Sequence, residues 1–404
     1  MNFSEIRFDF NSLQRIIFGN GRISELSQEI LSILEPKAIR YPKAFLVTGK
    51  SSLKNSGYLD RIHKNLEDLR IDLEVYNKAG IEPTTTILNE GKKLALKQKA
   101  DVIIGIGGGS VMDTAKGIAG LVTNGGIVED YHAGKEFLKY PLPFILIPTT
   151  SGTGSEVSNN AVIKDEKSGY KKSIRGLWAS VAILDPELTL SLPKKYTAYS
   201  GADALVQAIE SLVSKGSNFI SVLFAKEAIM LLGKNLPKVC NDLTNRRLRE
   251  NMMLGSLLDG LSFASGKLGA VHGFAHPIGI KYDIPHGLIC GLLLPYVMEY
   301  NIALDNVVEK YAWIADLFFH QKILLDYGEC SKIFPTKKKE KAKWVIEKLK
   351  DIFKYIGIPL HLSEISIKES DIDNIIKDTT GSSLANNPRD TDKKSLKKIL
   401  LNAL

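Results

Sequence analysis

The sequence predicts an α/β half followed by an all-α half, and three observations carry that expectation. Short apolar segments alternate with helical stretches as far as Leu184, the pattern of βαβ units and a mostly parallel sheet. One segment, Val102 to Ile106, runs directly into Gly107-Gly108-Gly109 and then a helical pattern. Beyond Pro186 strand signals nearly vanish and long helical patterns take over. The domain boundary is therefore placed near residue 186, with residues 1–186 and 187–404 as the two domains.

In chain order, Arg15 to Gly21 reads as a strand closed by a glycine turn, and Ala44 to Thr48 as the next strand. Gly49-Lys50-Ser51-Ser52 follows. A helix is expected over Leu59 to Leu69, a strand over Asp72 to Tyr76 and an amphipathic helix over Ile87 to Lys97. Val102 to Ile106 is rich in Val and Ile, as suits a strand covered on both faces. The three glycines after it free the backbone to adopt positive φ and remove every Cβ that would hold a ligand away. Ser110 and Asp113 follow, with Ala115, Ile118 and Ala119 at helical spacing. Strand, glycine turn and helix start together aim backbone N–H groups at one point, where a nucleotide pyrophosphate fits.

Pro143 to Ile147 is a further strand, ending in Pro148-Thr149-Thr150-Ser151-Gly152-Thr153-Gly154-Ser155-Glu156. Hydroxyls and glycines this dense are either turn chemistry or the lining of a ribose and nicotinamide pocket. Ala182 to Leu184 is the last short strand. Helices are then expected over Ala202 to Val213, Phe219 to Leu232, Asn251 to Ala264 and Pro295 to Phe319.

Composition narrows the function classes. Hydrophobic residues make up 44% and charged residues 24% of the 404, an ordinary globular mix. The net charge of +8 comes from scattered lysines. One dense run, Lys337, Lys338, Lys339 and Lys341, reads as a solvated helix face, and nothing resembles a nucleic-acid module. Cys240, Cys290 and Cys330 are odd in number and widely spaced, which argues for a reducing compartment and a cytoplasmic protein. Glu5, Arg7 and Asp9 leave no apolar signal-peptide core. The longest apolar run, Leu288 to Met298, contains Pro295 and falls short of the roughly 20 residues that span a bilayer. Residues 320–343, with Tyr327, Cys330 and the lysines, carry no assignable role.

Chemistry concentrates in the second half. Asp203 and Gln207 are four apart on an expected helix, with Glu210 on the same stripe. His272 and His276 are also four apart, and His286 follows Pro285, so three of the seven histidines fall in one glycine-rich apolar stretch. Residues at i and i+4 share a helix face. Such a set is either a divalent-metal or proton-transfer site or a group of buried, hydrogen-bonded histidines, and the clustering favours the former.

These residues resemble the iron-containing (group III) alcohol dehydrogenases. The shared patterns are Gly107-Gly108-Gly109-Ser110 with Asp113 and Lys116, then Pro148 to Val157, Asp185-Pro186-Glu187-Leu188-Thr189 and Leu192-Pro193. Asp203-Ala204-Leu205, Ala208-Ile209-Glu210, His272-Gly273-Phe274-Ala275-His276-Pro277, Pro285-His286-Gly287 and Asn387-Pro388-Arg389 follow in the same order. The resemblance implies a Rossmann-like N-terminal domain and an all-helical C-terminal domain of the dehydroquinate synthase-like superfamily, with the active site in the cleft between them. It implies NAD(P)(H) on Gly107, Gly108, Gly109, Ser110 and Asp113, with Thr149, Thr150 and Thr153 toward ribose and nicotinamide and Lys171 also reaching the cofactor. It maps a divalent metal (Fe2+, Zn2+ or Mn2+) onto Asp203, Gln207, His272 and His286, with His276 at the substrate. Relatives are often dimers, so a homodimer is expected.

Two departures matter. Gln207 stands where the family has a ligand His; its carbonyl oxygen is a harder, weaker donor, which makes Mn2+ or Mg2+ relatively less disfavoured and leaves room for metal loss. Gly49, with Lys50, Ser51 and Ser52 after it, stands where NAD-preferring members carry an Asp on the ribose 2′-hydroxyl. Gly49 and Ser51 are therefore assigned to the cofactor and NADPH is favoured. The expected reaction is reversible hydride transfer between an alcohol carbon and nicotinamide, with His276 moving a proton or orienting substrate. The rival readings are a metal-independent reductase of an activated carbonyl, of the maleylacetate reductase type, and a cofactor-binding relative without catalysis.

Overall fold

The computed structural model describes residues 7–80, 82–323 and 334–404. The chain divides into two compact units, Ser12–Ser191 in one and Leu192–Leu404 with the start of the chain up to Asn11 in the other. Cys330 and Tyr327 lie outside the described residues.

Among the described residues the first unit carries eight strands: β1 (Arg15–Phe18), β2 (Lys43–Thr48), β3 (Asp72–Tyr76), β4 (Val102–Gly107), β5 (Phe144–Pro148), β6 (Asn160–Lys164), β7 (Lys171–Arg175) and β8 (Val181–Leu184). Six form a parallel sheet in the order β1-β8-β5-β4-β2-β3. Every residue of β4, β5 and β8 is buried, as apolar runs covered on both faces require, whereas edge strand β3 alternates. The helices are α1 (Leu26–Leu34), α2 (Ser52–Asn55), α3 (Tyr58–Asp68), α4 (Thr85–Gln98), α5 (Gly109–Asn124) and α6 (Val128–His132).

Strand order reverses between β2 and β4. From β2 the chain moves outward to β3, then returns to place β4 on the other side of β2. Connections leave these two neighbours in opposite directions, which opens a crevice beyond their carboxyl ends. The register Thr48↔Ile106 sets Gly49 beside Gly107 at that crevice.

The hairpin β6–β7 was not foreseen, because its strands are short and only Ala161, Ile163 and Ile174 of them are buried. Register pairs Asn160 with Arg175 and Lys164 with Lys171. The division between units also falls a few residues past the expected 186. Asp185 is the reason: its carboxylate accepts hydrogen bonds from the backbone N–H groups of Gly21 (3.1 Å), Ile23 (3.0 Å) and Glu187 (3.1 Å), tying the turn Pro186–Thr189 to the sheet.

The second unit contains helices and, among the described residues, no strand. They are α7 (Lys194–Val213), α8 (Phe219–Asn241), α9 (Arg246–Gly266), α10 (Ala270–Tyr282), α11 (His286–Asn301), α12 (Asp305–His320), α13 (Lys338–Tyr355), α14 (Glu369–Asp378), α15 (Ser382–Ala385) and α16 (Lys393–Asn402). Their shared core includes Leu205, Ile209, Phe274, Leu292, Ile314 and Phe353. The single helix expected over Pro295 to Phe319 is two helices. Asn301 ends the first, where its side chain pairs with Asn387, and Asp305 starts the second as an acidic first-turn residue. The lysine run opens α13 as a solvated face, with Lys338 on Glu309 and Lys341 on Asp316, each at 2.6 Å. No described helix is long and apolar enough to cross a membrane.

Candidate metal centre and cofactor site

The glycine turn ends β4 and starts α5, as the sequence predicts, but its glycines are needed for a different reason. None of Gly107, Gly108 and Gly109 has positive φ. What forbids a side chain is proximity: a Cβ at Gly107 would lie 2.6 Å from Val111, and one at Gly109 would lie 2.8 Å from Thr153. The helix and the hydroxyl-rich loop thus press onto bare backbone. The Thr149 N–H donates to the Gly107 carbonyl at 2.9 Å, which brings the loop after β5 alongside the turn. Gly107, Gly108, Gly109, Ser110, Thr149, Thr150 and Thr153 therefore form one cluster at the start of α5.

A buried ion network supports that loop. Lys116 is fully buried and donates to Ser155 Oγ (2.8 Å) and the Asn160 carbonyl (2.8 Å), with Ser158 Oγ at 3.3 Å. Asp113 accepts from Ser155 Oγ (2.6 Å) and the Val162 N–H (2.9 Å). Asp113 thereby braces the loop against the hairpin. Burial lowers the Lys116 pKa, and it raises that of buried Glu156 to about 7 although Lys116 pulls the other way. Lys171 lies on β7 and pairs with Glu82. At the end of β2, Gly49 is half-buried and Lys50 and Ser51 are exposed, with no carboxylate in that stretch.

The second cluster lies wholly in the helical unit. Asp203 and Gln207 project from α7, His272 and His276 from α10, and His286 and Cys290 from α11. Asp203 Oδ1 lies 3.5 Å from His272 Nε2 and 3.7 Å from His286 Nε2. Cys290 Sγ lies 3.9 Å from His272 Nε2 and 3.6 Å from His286 Nε2. One donor atom from each of these four residues falls within 4.8 Å of every other. Gln207 Nε2 donates to Asp203 Oδ2 at 3.2 Å. The His276 ring stacks on that of His286, centroids 5.2 Å apart. His286 is a third exposed, whereas Asp203 and His272 are buried, so the cluster is reached from the His286 side.

Two carboxylates hold this group. Glu210 receives His272 Nδ1 on one oxygen (2.6 Å) and the Val271 N–H on the other (2.8 Å), which fixes the ring and turns Nε2 toward Asp203. Burial opposes a charge on Asp203, but His286 and then His272 outweigh it and hold its pKa below the usual carboxylate range. Burial likewise opposes charge on His272, yet Cys290, Asp203 and Glu210 raise its pKa well above the ordinary histidine value. Burial pushes the Cys290 thiol up to about 12. The set thus carries surplus negative charge that a proton on His272, or a divalent cation, balances.

The residues present fit a cation. Asp203 Oδ1 and Gln207 Oε1 are both buried and have no hydrogen-bond partner. Buried polar oxygens without donors are costly in a protein interior, and a metal ion among these donors satisfies Asp203 Oδ1.

The expected ligands Asp203, Gln207, His272 and His286 come together here, with His276 adjoining. Cys290 was missed because it sits in an apolar run and reads as core; its spacing of four from His286 was the available signal. Asn387, from the Asn387-Pro388-Arg389 pattern, holds the backbone of the cluster. Its Oδ1 accepts from the Ala270 N–H at 3.3 Å, pinning the first turn of α10. Arg389 adds a bond to the Tyr300 carbonyl at 2.8 Å.

Comparison with known proteins identifies the family. Residues 14–186 match the iron-containing alcohol dehydrogenase family, and residues 197–404 match the C-terminal domain of the same family. The chain is 34% identical to 1,3-propanediol dehydrogenase of Citrobacter freundii, over 98% of each chain. It is 31% identical to NAD-dependent methanol dehydrogenase of Bacillus methanolicus, over 96% of this chain and 97% of that one. Its fold superposes on a crystal structure of 1,3-propanediol oxidoreductase with a TM-score of 0.89 at 30% identity, covering 98% of this chain and all of the other. With the parallel-sheet unit, the helical unit and the carboxylate–histidine cluster in place, the chain belongs to the iron-containing alcohol dehydrogenases, oxidoreductases that work between alcohols and carbonyl compounds with a nicotinamide cofactor.

Proposed function

We propose that the protein interconverts a small alcohol and its aldehyde, prefers NADPH to NADH, and works with a divalent cation held by Asp203, His272 and His286. The observation that carries this reading is the buried Asp203 Oδ1, without a hydrogen-bond donor among the described residues and beside two imidazole nitrogens. When bound, nicotinamide supplies or accepts the hydride and the cation polarises the substrate oxygen.

The chain's own residues do the rest. The bare backbone of Gly107, Gly108 and Gly109 at the start of α5 takes the pyrophosphate, with Ser110 beside it. Thr149, Thr150 and Thr153 line the ribose and nicotinamide side, and Asp113 and Lys116 keep that loop in place from beneath. Gly49 leaves the ribose 2′-position without a repelling carboxylate, and Lys50 with Ser51 offers a cation and a hydroxyl to a 2′-phosphate. Lys171 is carried as a cofactor contact that must first leave Glu82. His276, stacked on the partly exposed His286, moves a proton or orients the substrate. A homodimer in the cytoplasm completes the reading, checked by gel filtration and fractionation.

The test is NADPH oxidation with a panel of short aldehydes, before and after EDTA, on protein purified without chelator and analysed for metal. Near-stoichiometric metal and EDTA-sensitive turnover support the reading. Turnover without metal would favour the metal-independent reductases, and no turnover with any aldehyde would favour a non-catalytic cofactor binder.

A further inference from the structure

The donor set at the metal centre contains one residue more than its carboxylate and imidazoles. We infer that Cys290 is a protein ligand of the bound cation, occupying the fourth position that Gln207 leaves weak, and that the preferred ion is Zn2+. This rests on the reading of Asp203, His272 and His286 as metal ligands.

Three observations converge. First, Cys290 is one helical turn from His286 on α11, so both side chains reach the same point. Its sulfur faces the Nε2 atoms of both histidines, at 3.9 and 3.6 Å. Second, the separations match a tetrahedron. With Zn–N near 2.0–2.1 Å and Zn–S near 2.3 Å, its edges are about 3.3–3.6 Å. Four of the six edges run 3.5, 3.7, 3.9 and 3.6 Å and the other two lie within 4.8 Å, so modest inward movements close the shell. Third, Asp203 Oδ1, the carboxylate oxygen nearest both histidines, is buried without a hydrogen-bond donor. It points to a cation at the centre of these atoms rather than to a buried thiol filling space.

Gln207 then has a different task. Its amide nitrogen already holds Asp203 Oδ2 at 3.2 Å, orienting that carboxylate from outside as metal-site partners commonly do. Binding follows a simple balance: the Cys290 S–H bond breaks, its proton leaves to solvent, and the sulfur lone pair forms the S–metal bond without redox change. A thiolate in place of an amide oxygen makes the donor set softer, which selects Zn2+ over Mn2+ or Mg2+. Zinc also expands to five ligands, so a fourth protein donor does not exclude substrate.

Cobalt(II) substitution tests this, because a cysteine ligand produces a sulfur-to-cobalt charge-transfer band in the near ultraviolet that oxygen and nitrogen ligands lack. The full chain loaded with Co2+ is expected to show that band. Cys290→Ser, with Cys240 and Cys330 retained, is expected to lose it and to bind Co2+ at least about tenfold more weakly. X-ray absorption of the zinc-loaded wild type provides a readout without any variant, with one sulfur expected at about 2.3 Å. Co2+ bound without the band, a band that survives Cys290→Ser, or a zinc shell without sulfur would overturn the inference and leave the metal reading standing. No Co2+ or Zn2+ bound at all would overturn the metal reading and this inference with it.

Discussion

Glu210 Oε2 sits 2.6 Å from His272 Nδ1, and the other oxygen of the same carboxylate receives the Val271 N–H. One buried acid therefore sets both the ring orientation of His272 and the backbone from which it hangs. Glu210→Ala is expected to weaken metal binding by roughly ten- to a hundredfold, the usual effect of losing a carboxylate behind a ligand histidine. Competition of the variant against a chelating dye measures it; unchanged affinity would show that His272 needs no anchor.

Gly287 brings α11 against α7. A Cβ there would overlap the Tyr199 carbonyl oxygen and come within 3.2 Å of Asp203 Cβ. Backbone cannot yield as a side-chain tip does, so α11 would have to move and carry His286 and Cys290 with it. Gly287→Ala is expected to destabilise the protein by about 3 kcal/mol, the upper range for overpacking, and to lower the metal stoichiometry. Chemical denaturation and elemental analysis check both. A variant of wild-type stability and metal content would mean that the two helices have slack.

Glu156 provides a pH signature within the sheet unit. Burial raises its pKa to about 7 from an ordinary 4.5, so the folded protein keeps a proton that the unfolded chain has released. Its stability contribution is complete below about pH 4.5, declines as pH rises, and is lost above about 7. Glu156→Gln removes the ionisation. Relative to wild type, the variant is expected to gain about 2 kcal/mol more at pH 8 than at pH 5. Urea denaturation at the two values decides; a pH-independent difference would place Glu156 in a more polar setting than its burial indicates.

At the end of β2 a single residue bears on cofactor choice. The position of a Cβ at Gly49 has its nearest neighbours at 3.8 and 3.9 Å, so a side chain is sterically allowed. Gly49→Asp should repel a 2′-phosphate and accept a bond from a 2′-hydroxyl. The ratio of kcat/KM for NADPH over NADH is expected to fall at least about tenfold, or about 1.4 kcal/mol. An unchanged ratio would show that the discriminating contact lies elsewhere.

What could be read from the chain follows the range of the forces involved. Strands β2, β4, β5 and β8 were legible because each is a run of apolar residues whose neighbours on both faces are buried, a local signature. Asp203 with Gln207, and His272 with His276, were legible as pairs because helical spacing of four is also local, whereas His286 stood out only by lying close to them in the chain. The hairpin β6–β7 had no continuous apolar run: Asp113 and Lys116 stabilise it from a distant helix, and no window of sequence contains both partners.

By itself the sequence determined the two-part architecture and the glycine turn, and it singled out the candidate acid and histidine side chains, since these depend on periodicity and residue type. Only the tertiary structure decided what those side chains do to one another. It made the glycines a matter of close approach to Val111 and Thr153 rather than of positive φ. It turned Asp113 into a brace, gave Glu210 to His272, and moved Cys290 from an apolar run into the donor set. The physical reason is one of distance. The cluster of Asp203, His272, His286 and Cys290 is assembled from three helices whose relative placement is set by the packing of the whole helical core, and a residue's neighbours along the chain record almost nothing of that packing.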